Sequence, residues 1–160
     1  MSSYTEDFLV QQTTANYLKN ALGWDSVYAY NEETFGPDGT LGRLSDKEVV
    51  LTRYLRTKLM EFNPGLPDGA YHDAISQLLE ISAAQTIMAT NREKYTLLRD
   101  GIQVSFRNTK GELKKERLRV FDFEHPGNNQ FLCVRELWIK GSPYRRRADI
   151  IGFVNWTAPL

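Results

Sequence analysis

The chain has 160 residues, 41% hydrophobic and 25% charged, and its formal net charge is zero. That length suits a single domain, residues 1–160, with its own core. One cysteine, Cys133, excludes an intrachain disulfide framework. No apolar run approaches the roughly 18 residues of a membrane helix, and the start, "MSSYTEDF", lacks a basic-then-apolar leader. A cytoplasmic, membrane-free setting is expected.

The neutrality hides an asymmetry. Residues 1–80 hold 6 Lys/Arg against 12 Asp/Glu, whereas residues 81–160 hold 14 against 8. The basic second half faces either an anionic partner or the acidic first half.

In chain order, "SSYTEDFLVQQTTANYLKNALGW" predicts a helix over about 5–22, with Phe8, Ala15, Leu18 and Leu22 at helical spacing and Gly23 as its stop. Ser3 and Glu6 fit a capping box. A short strand candidate and a Gly/Pro-punctuated loop follow in "DSVYAYNEETFGPDGTLGR". "GPDGTLG" lacks the G-K-[ST] ending of a nucleotide-binding loop, so no ATP site is expected in this chain. A second helix, over 45–62, is predicted to open at Ser45 and Glu48 and to bury Leu51, Leu55, Leu59 and Phe62. "NPGLPDG" ends it, because proline cannot continue the hydrogen-bond ladder. A third helix begins near Asp68 and carries Ala74, Ile75, Leu78 and Leu79, and helix continues or resumes through "TNREKYTLLRDG".

Near residue 100 the period changes. "IQVSFR", "LRVFDFE", "QFLCVRELWI" and "DIIGFVN" read as strands, separated by turn formers in "NTKGE" and "HPGNN". Three helices and then four strands predict an α+β fold, with helices packed on one main sheet.

The chemistry concentrates in "RRRADIIGFVN". Asp149 is expected at the start of the last strand, behind Arg145, Arg146 and Arg147. Taken alone, the segment is a solvated loop-to-strand junction. The alternative is a carboxylate that holds Mg2+, which prefers oxygen ligands used together with water and phosphate, flanked by arginines that neutralise a DNA backbone. Asp122, Glu124 and His125 could suggest a metal cluster, but alternation and the following turn favour a plain strand end. His72 reads as a surface or packing residue, and Cys133 as a small buried apolar one.

"RRRADIIGFVNWTAPL" resembles a segment of the restriction (R) subunits of type I restriction–modification enzymes that reads R-R-P-D-I-V-x-F-V-N-G-x-P-L. Upstream, "LGRLSDKEVVLTRYLRTKLMEFNPGLPDGAYHDAISQLL", "LLRDGIQVSF" and "VFDFEHPGNNQFLCV" resemble further stretches of that family in the same order. The resemblance runs from about Thr5 to Leu160. It implies a restriction-endonuclease-like core, with N-terminal helices on a mixed sheet and a P-D…E-x-K metal site for Mg2+. Asp149 takes the aspartate position and Ala148 stands where the motif has proline. The E-x-K glutamate and lysine have no counterpart here, so the expectation is a nuclease domain cut short before that strand and inactive alone. Related nucleases often add an acid from an early helix, which makes Glu6 a second catalytic candidate besides its capping role. The implied partners are double-stranded DNA and the specificity and modification subunits, with an ATP-driven motor only in the full-length subunit. The competing expectation is a non-catalytic module that docks subunits or binds DNA nonspecifically.

Overall fold

The computed structural model describes residues 6–80, 84–141 and 143–155. In chain order the elements are α1 (Glu6–Leu22), β1 (Asp25–Tyr28), α2 (Thr52–Phe62), α3 (Asp68–Leu79), α4 (Ile87–Asp100), β2 (Ile102–Arg107), β3 (Leu113–Leu118), a 3-10 turn (Pro126–Asn128), β4 (Phe131–Lys140) and β5 (Arg145–Val154). The fold is α+β, as its sequence periods predict. Two compact units divide it: one runs up to Leu51 and resumes at Gln130, and the other is Thr52–Asn129.

The first unit is a mixed three-stranded sheet in the order β1-β4-β5. β1 runs parallel to β4, with Asp25 opposite Leu132, and β4 runs antiparallel to β5, with Phe131 opposite Val154. As the central strand, β4 is covered on both faces, so consecutive Leu132, Cys133 and Val134 are all buried. α1 lies over the face that carries Arg135 and its cross-strand partner Ile150, and Arg135 Nη1 donates to Gln12 Oε1 at 2.6 Å. The buried stripe of α1 includes Gln11 and Ala15, whereas Leu22, expected inside, is exposed. Gly23 adopts φ +70, and its N–H reaches back to the Lys19 carbonyl. That left-handed residue ends the helix where the sequence predicts.

The second unit packs helices and one hairpin. Leu55 and Leu59 of α2 and Tyr71, Ala74 and Leu78 of α3 are buried, as are Ile102, Val104 and Leu118 of the β2–β3 hairpin. Asn63, in the proline break after α2, donates to the Arg119 carbonyl at 2.9 Å and accepts from the Arg119 N–H at 2.8 Å. An asparagine amide thus replaces a strand neighbour just past β3.

Three expectations are corrected. The second helix starts at Thr52, not Ser45. Residues 45–48 form a turn in which Glu48 Oε2 accepts from the Leu44 N–H, and Arg43 Nη1 takes the Glu48 carbonyl at 2.9 Å. "LRVFDFE" is not a strand beyond Leu118; the strand is Leu113–Leu118, "LKKERL". Its polar composition hides it, because five of its six residues face solvent on the edge of a two-stranded ribbon. The strands also form two sheets rather than one.

Candidate functional site

Asp149 is the fifth residue of β5 rather than its first, because Arg145, Arg146 and Arg147 are themselves in the strand. They pair with Lys140, Ile139 and Trp138 of β4. Strand alternation puts Arg145, Arg147 and Asp149 on one face and Arg146 on the other. Asp149 is solvent-exposed. The register places it opposite Glu136, between the pairs Arg135–Ile150 and Leu137–Ala148.

Neighbours hold two of the three arginines. Arg145 Nε lies 2.7 Å from Asp46 Oδ2, with its guanidinium 4.4 Å from the Trp138 ring centroid. Arg147 Nε lies 2.5 Å from Glu136 Oε2, and its guanidinium sits 4.8 Å from the Tyr30 ring. Glu136 is buried and carries φ +59, a left-handed conformation that a non-glycine residue adopts at a cost of about 1–2 kcal/mol. Sequence reading did not single out Glu136, Asp46, Tyr30 or Trp138. Nothing local marks them, since what they share is proximity to arginines that are distant in sequence.

Glu6 is the first residue of α1, and its side chain lies outside the described residues, as does Ser3 of the expected capping box. The helix itself covers the Ile150 face of the sheet, opposite the face that alternation gives Asp149. Among the described residues no group of three His, Cys, Asp or Glu could hold a metal ion.

The other acidic cluster is a closed turn. Asp122 accepts from Asn128 Nδ2 at 2.8 Å and from the His125 N–H at 3.0 Å. Asn129 in turn receives the Asp122 N–H and donates to the Asp122 and Pro126 carbonyls. The Asn128 hydrogen bond, then the His125 N–H, hold the Asp122 carboxyl below its ordinary pKa, with nearby Arg119 assisting. Glu124 and His125 point to solvent. Cys133 is fully buried, and burial pushes its thiol pKa up, which suits an inert core residue. His72 is exposed on α3. The "GPDGTLG" loop is closed by Thr34 and Thr40, with the Gly36 N–H on the Arg43 carbonyl.

This chain belongs to the family of type I restriction enzyme R protein N termini, whose match covers residues 3–160. A named relative is the type I restriction enzyme HindI endonuclease subunit of Haemophilus influenzae, 36% identical over 147 residues. That alignment covers 91% of this chain but only 14% of the relative. Among the described residues no helix is long and apolar enough to cross a membrane.

Proposed function

We propose that this chain is the N-terminal part of the DNA-cleaving subunit of a type I restriction–modification system, with a restriction-endonuclease-like core and with Asp149 as a metal-binding carboxylate of its nuclease site. The observation that carries this reading is the family match over residues 3–160, which takes in the β5 segment around Asp149. The exposed Asp149 suits a role toward a ligand, since among the described residues it forms no ion pair. Its neighbour Glu136 is already neutralised by Arg147.

These residues do not by themselves make a Mg2+ site. A hard cation wants about six oxygen ligands, and one free carboxylate leaves it hydrated and weakly held. The family's E-x-K glutamate would have to supply a further oxygen ligand and its lysine to position the attacking water, so this chain alone should not cut DNA in Mg2+ above background. In the full-length subunit, with its DNA, ATP and the specificity and modification subunits, Asp149→Ala should abolish cleavage while ATP hydrolysis persists. Cleavage at the unaltered rate by that variant would exclude Asp149 from the site.

A further inference from the structure

Among the described residues, the cations that remain free in the basic half of the chain are not concentrated on β5. The β2–β3 hairpin and its flanks, residues 101–121, hold six basic residues and two acidic ones in a chain of zero net charge. Strand alternation sorts them. One face of the ribbon carries Ile102, Val104 and Leu118 into the core. The other carries Gln103, Ser105 and Arg107 on β2 opposite Arg117, Lys115 and Leu113 on β3, and all six are exposed. This outer face has three cations and no carboxylate.

None of the three forms an ion pair among the described residues. Arg107 Nη1 donates to the Gly111 carbonyl at 2.8 Å, which orients the guanidinium and leaves its charge unneutralised. Arg117 makes long hydrogen bonds, 3.4 and 3.5 Å, to the Asp100 and Gly101 carbonyls, and its charge acts on the Asp100 carboxylate, which Arg99 already holds at 2.6 and 2.7 Å. Arg107 stands opposite Leu113, so the cations fall at positions two residues apart along β3, about 7 Å per step. Charge on an exposed edge strand also discourages aggregation, which accounts for Lys114 and Glu116. It does not require one sign on one face.

We propose that this outer face of the hairpin is a binding surface for the phosphate backbone of duplex DNA, with Arg107, Lys115 and Arg117 each neutralising a phosphate and Gln103 and Ser105 available as hydrogen-bonding groups between them. A two-stranded ribbon is narrow enough to lie along a groove of the duplex. The choice of duplex DNA rests on the functional reading above, whereas the polyanion surface rests on the hairpin alone.

The test is fluorescence anisotropy of the chain with a labelled duplex of arbitrary sequence, between about 50 and 200 mM salt. Each phosphate left without its cation lowers the log–log salt slope by about 0.9. The triple variant Arg107→Ala, Lys115→Ala, Arg117→Ala should therefore lose about 2–3 units of slope and at least about tenfold in affinity at low salt. The charge-preserving Arg107→Lys, Arg117→Lys variant should retain both. Thermal melting of each variant checks the fold. An unchanged slope in the folded triple variant overturns the proposal, as does failure of the unaltered chain to bind duplex at low salt. Tighter binding to a single strand than to the duplex overturns the choice of partner. Cleavage by the full-length subunit, lost or kept with Asp149, reads the nuclease assignment separately.

Discussion

β5 and the β2–β3 hairpin both carry clustered cations, and the two clusters are used differently. On β5, Arg145 and Arg147 end on Asp46 and Glu136 and stack against Trp138 and Tyr30. On the hairpin, Arg107, Lys115 and Arg117 are exposed and form no ion pair among the described residues, and the one carboxylate that Arg117 acts on, Asp100, is already held by Arg99. A run of arginines is therefore weak evidence for a polyanion surface until the acids around it are located. The β5 partners come from a loop and a neighbouring strand, so sequence proximity conceals the neutralisation. Each cluster then has its own signature: loss of β5 cations should appear in stability, and loss of hairpin cations in salt-dependent binding.

The most consumed cation sets the upper end of this comparison. Arg43 is 1% exposed; its Nε lies 2.8 Å from Glu33 Oε1, and its Nη2 also reaches the Trp138 carbonyl at 3.0 Å. Arg43→Ala leaves a buried carboxylate and two carbonyls without their donor and should cost about 3–5 kcal/mol in urea unfolding. A cost under about 1 kcal/mol would break the claim that the first unit depends on its internal ion pairs.

At the other end, the hairpin presents free cations only if its base is rigid. Gly101 sits there at φ +87, and a Cβ on it would lie 2.8 Å from the Leu118 carbonyl oxygen. Gly101→Ala should destabilise by about 1–3 kcal/mol. Hydrogen exchange should show that loss first in β2 and β3.

Glu136 tests whether the β5 pairing offsets backbone strain. Glu136→Ala keeps the left-handed φ and loses the pair with Arg147, for a cost of about 1–2 kcal/mol. Glu136→Gly loses the same pair but relieves the backbone, so it should recover about 1 kcal/mol of that cost. Equal melting of the two variants would show that the positive φ carries no strain.

The helices α1 and α3 were legible because apolar spacing and Gly/Pro stops act locally. The strand "IQVSFR" was legible for the same reason, since one face alternates into the core. What escaped depends on distant partners. Ser45 and Glu48 look like a helix cap, yet Glu48's backbone is recruited to buried Arg43. "LKKERL" has no apolar alternation because its outer face and edge meet only water. The strand that follows Asp149 was legible from its apolar run, but the place of Asp149 inside β5 was not, because three arginines read as a loop.

Asp122 extends the comparison to a carboxylate. Its pKa is depressed, so it contributes stability above the ordinary aspartate value of about 3.9. That contribution is lost as pH falls from there through the lower folded value. Asp122→Asn should flatten the acid limb of stability below about pH 4 while leaving the turn's backbone bonds to Asn129 in place. An unaltered acid limb would mean that other carboxylates dominate it.

The smallest effects discriminate best between the two clusters. Arg147 is 38% exposed along its side chain, so its pair with Glu136 is partly screened, and Arg147→Ala should cost about 1 kcal/mol. Much of that is the penalty on buried Glu136 left without its cation, together with weaker packing against Tyr30. Lys115→Ala removes an exposed side chain with no partner among the described residues and should stay within about 0.5 kcal/mol of the parent. In duplex binding the order should reverse: Lys115→Ala lowers the salt slope by about 0.9, and Arg147→Ala leaves it unchanged. Urea unfolding and anisotropy on these two single variants measure both axes. If Arg147→Ala alone reduces the slope, β5 also reaches DNA despite its internal pair, and the division between consumed and free cations fails.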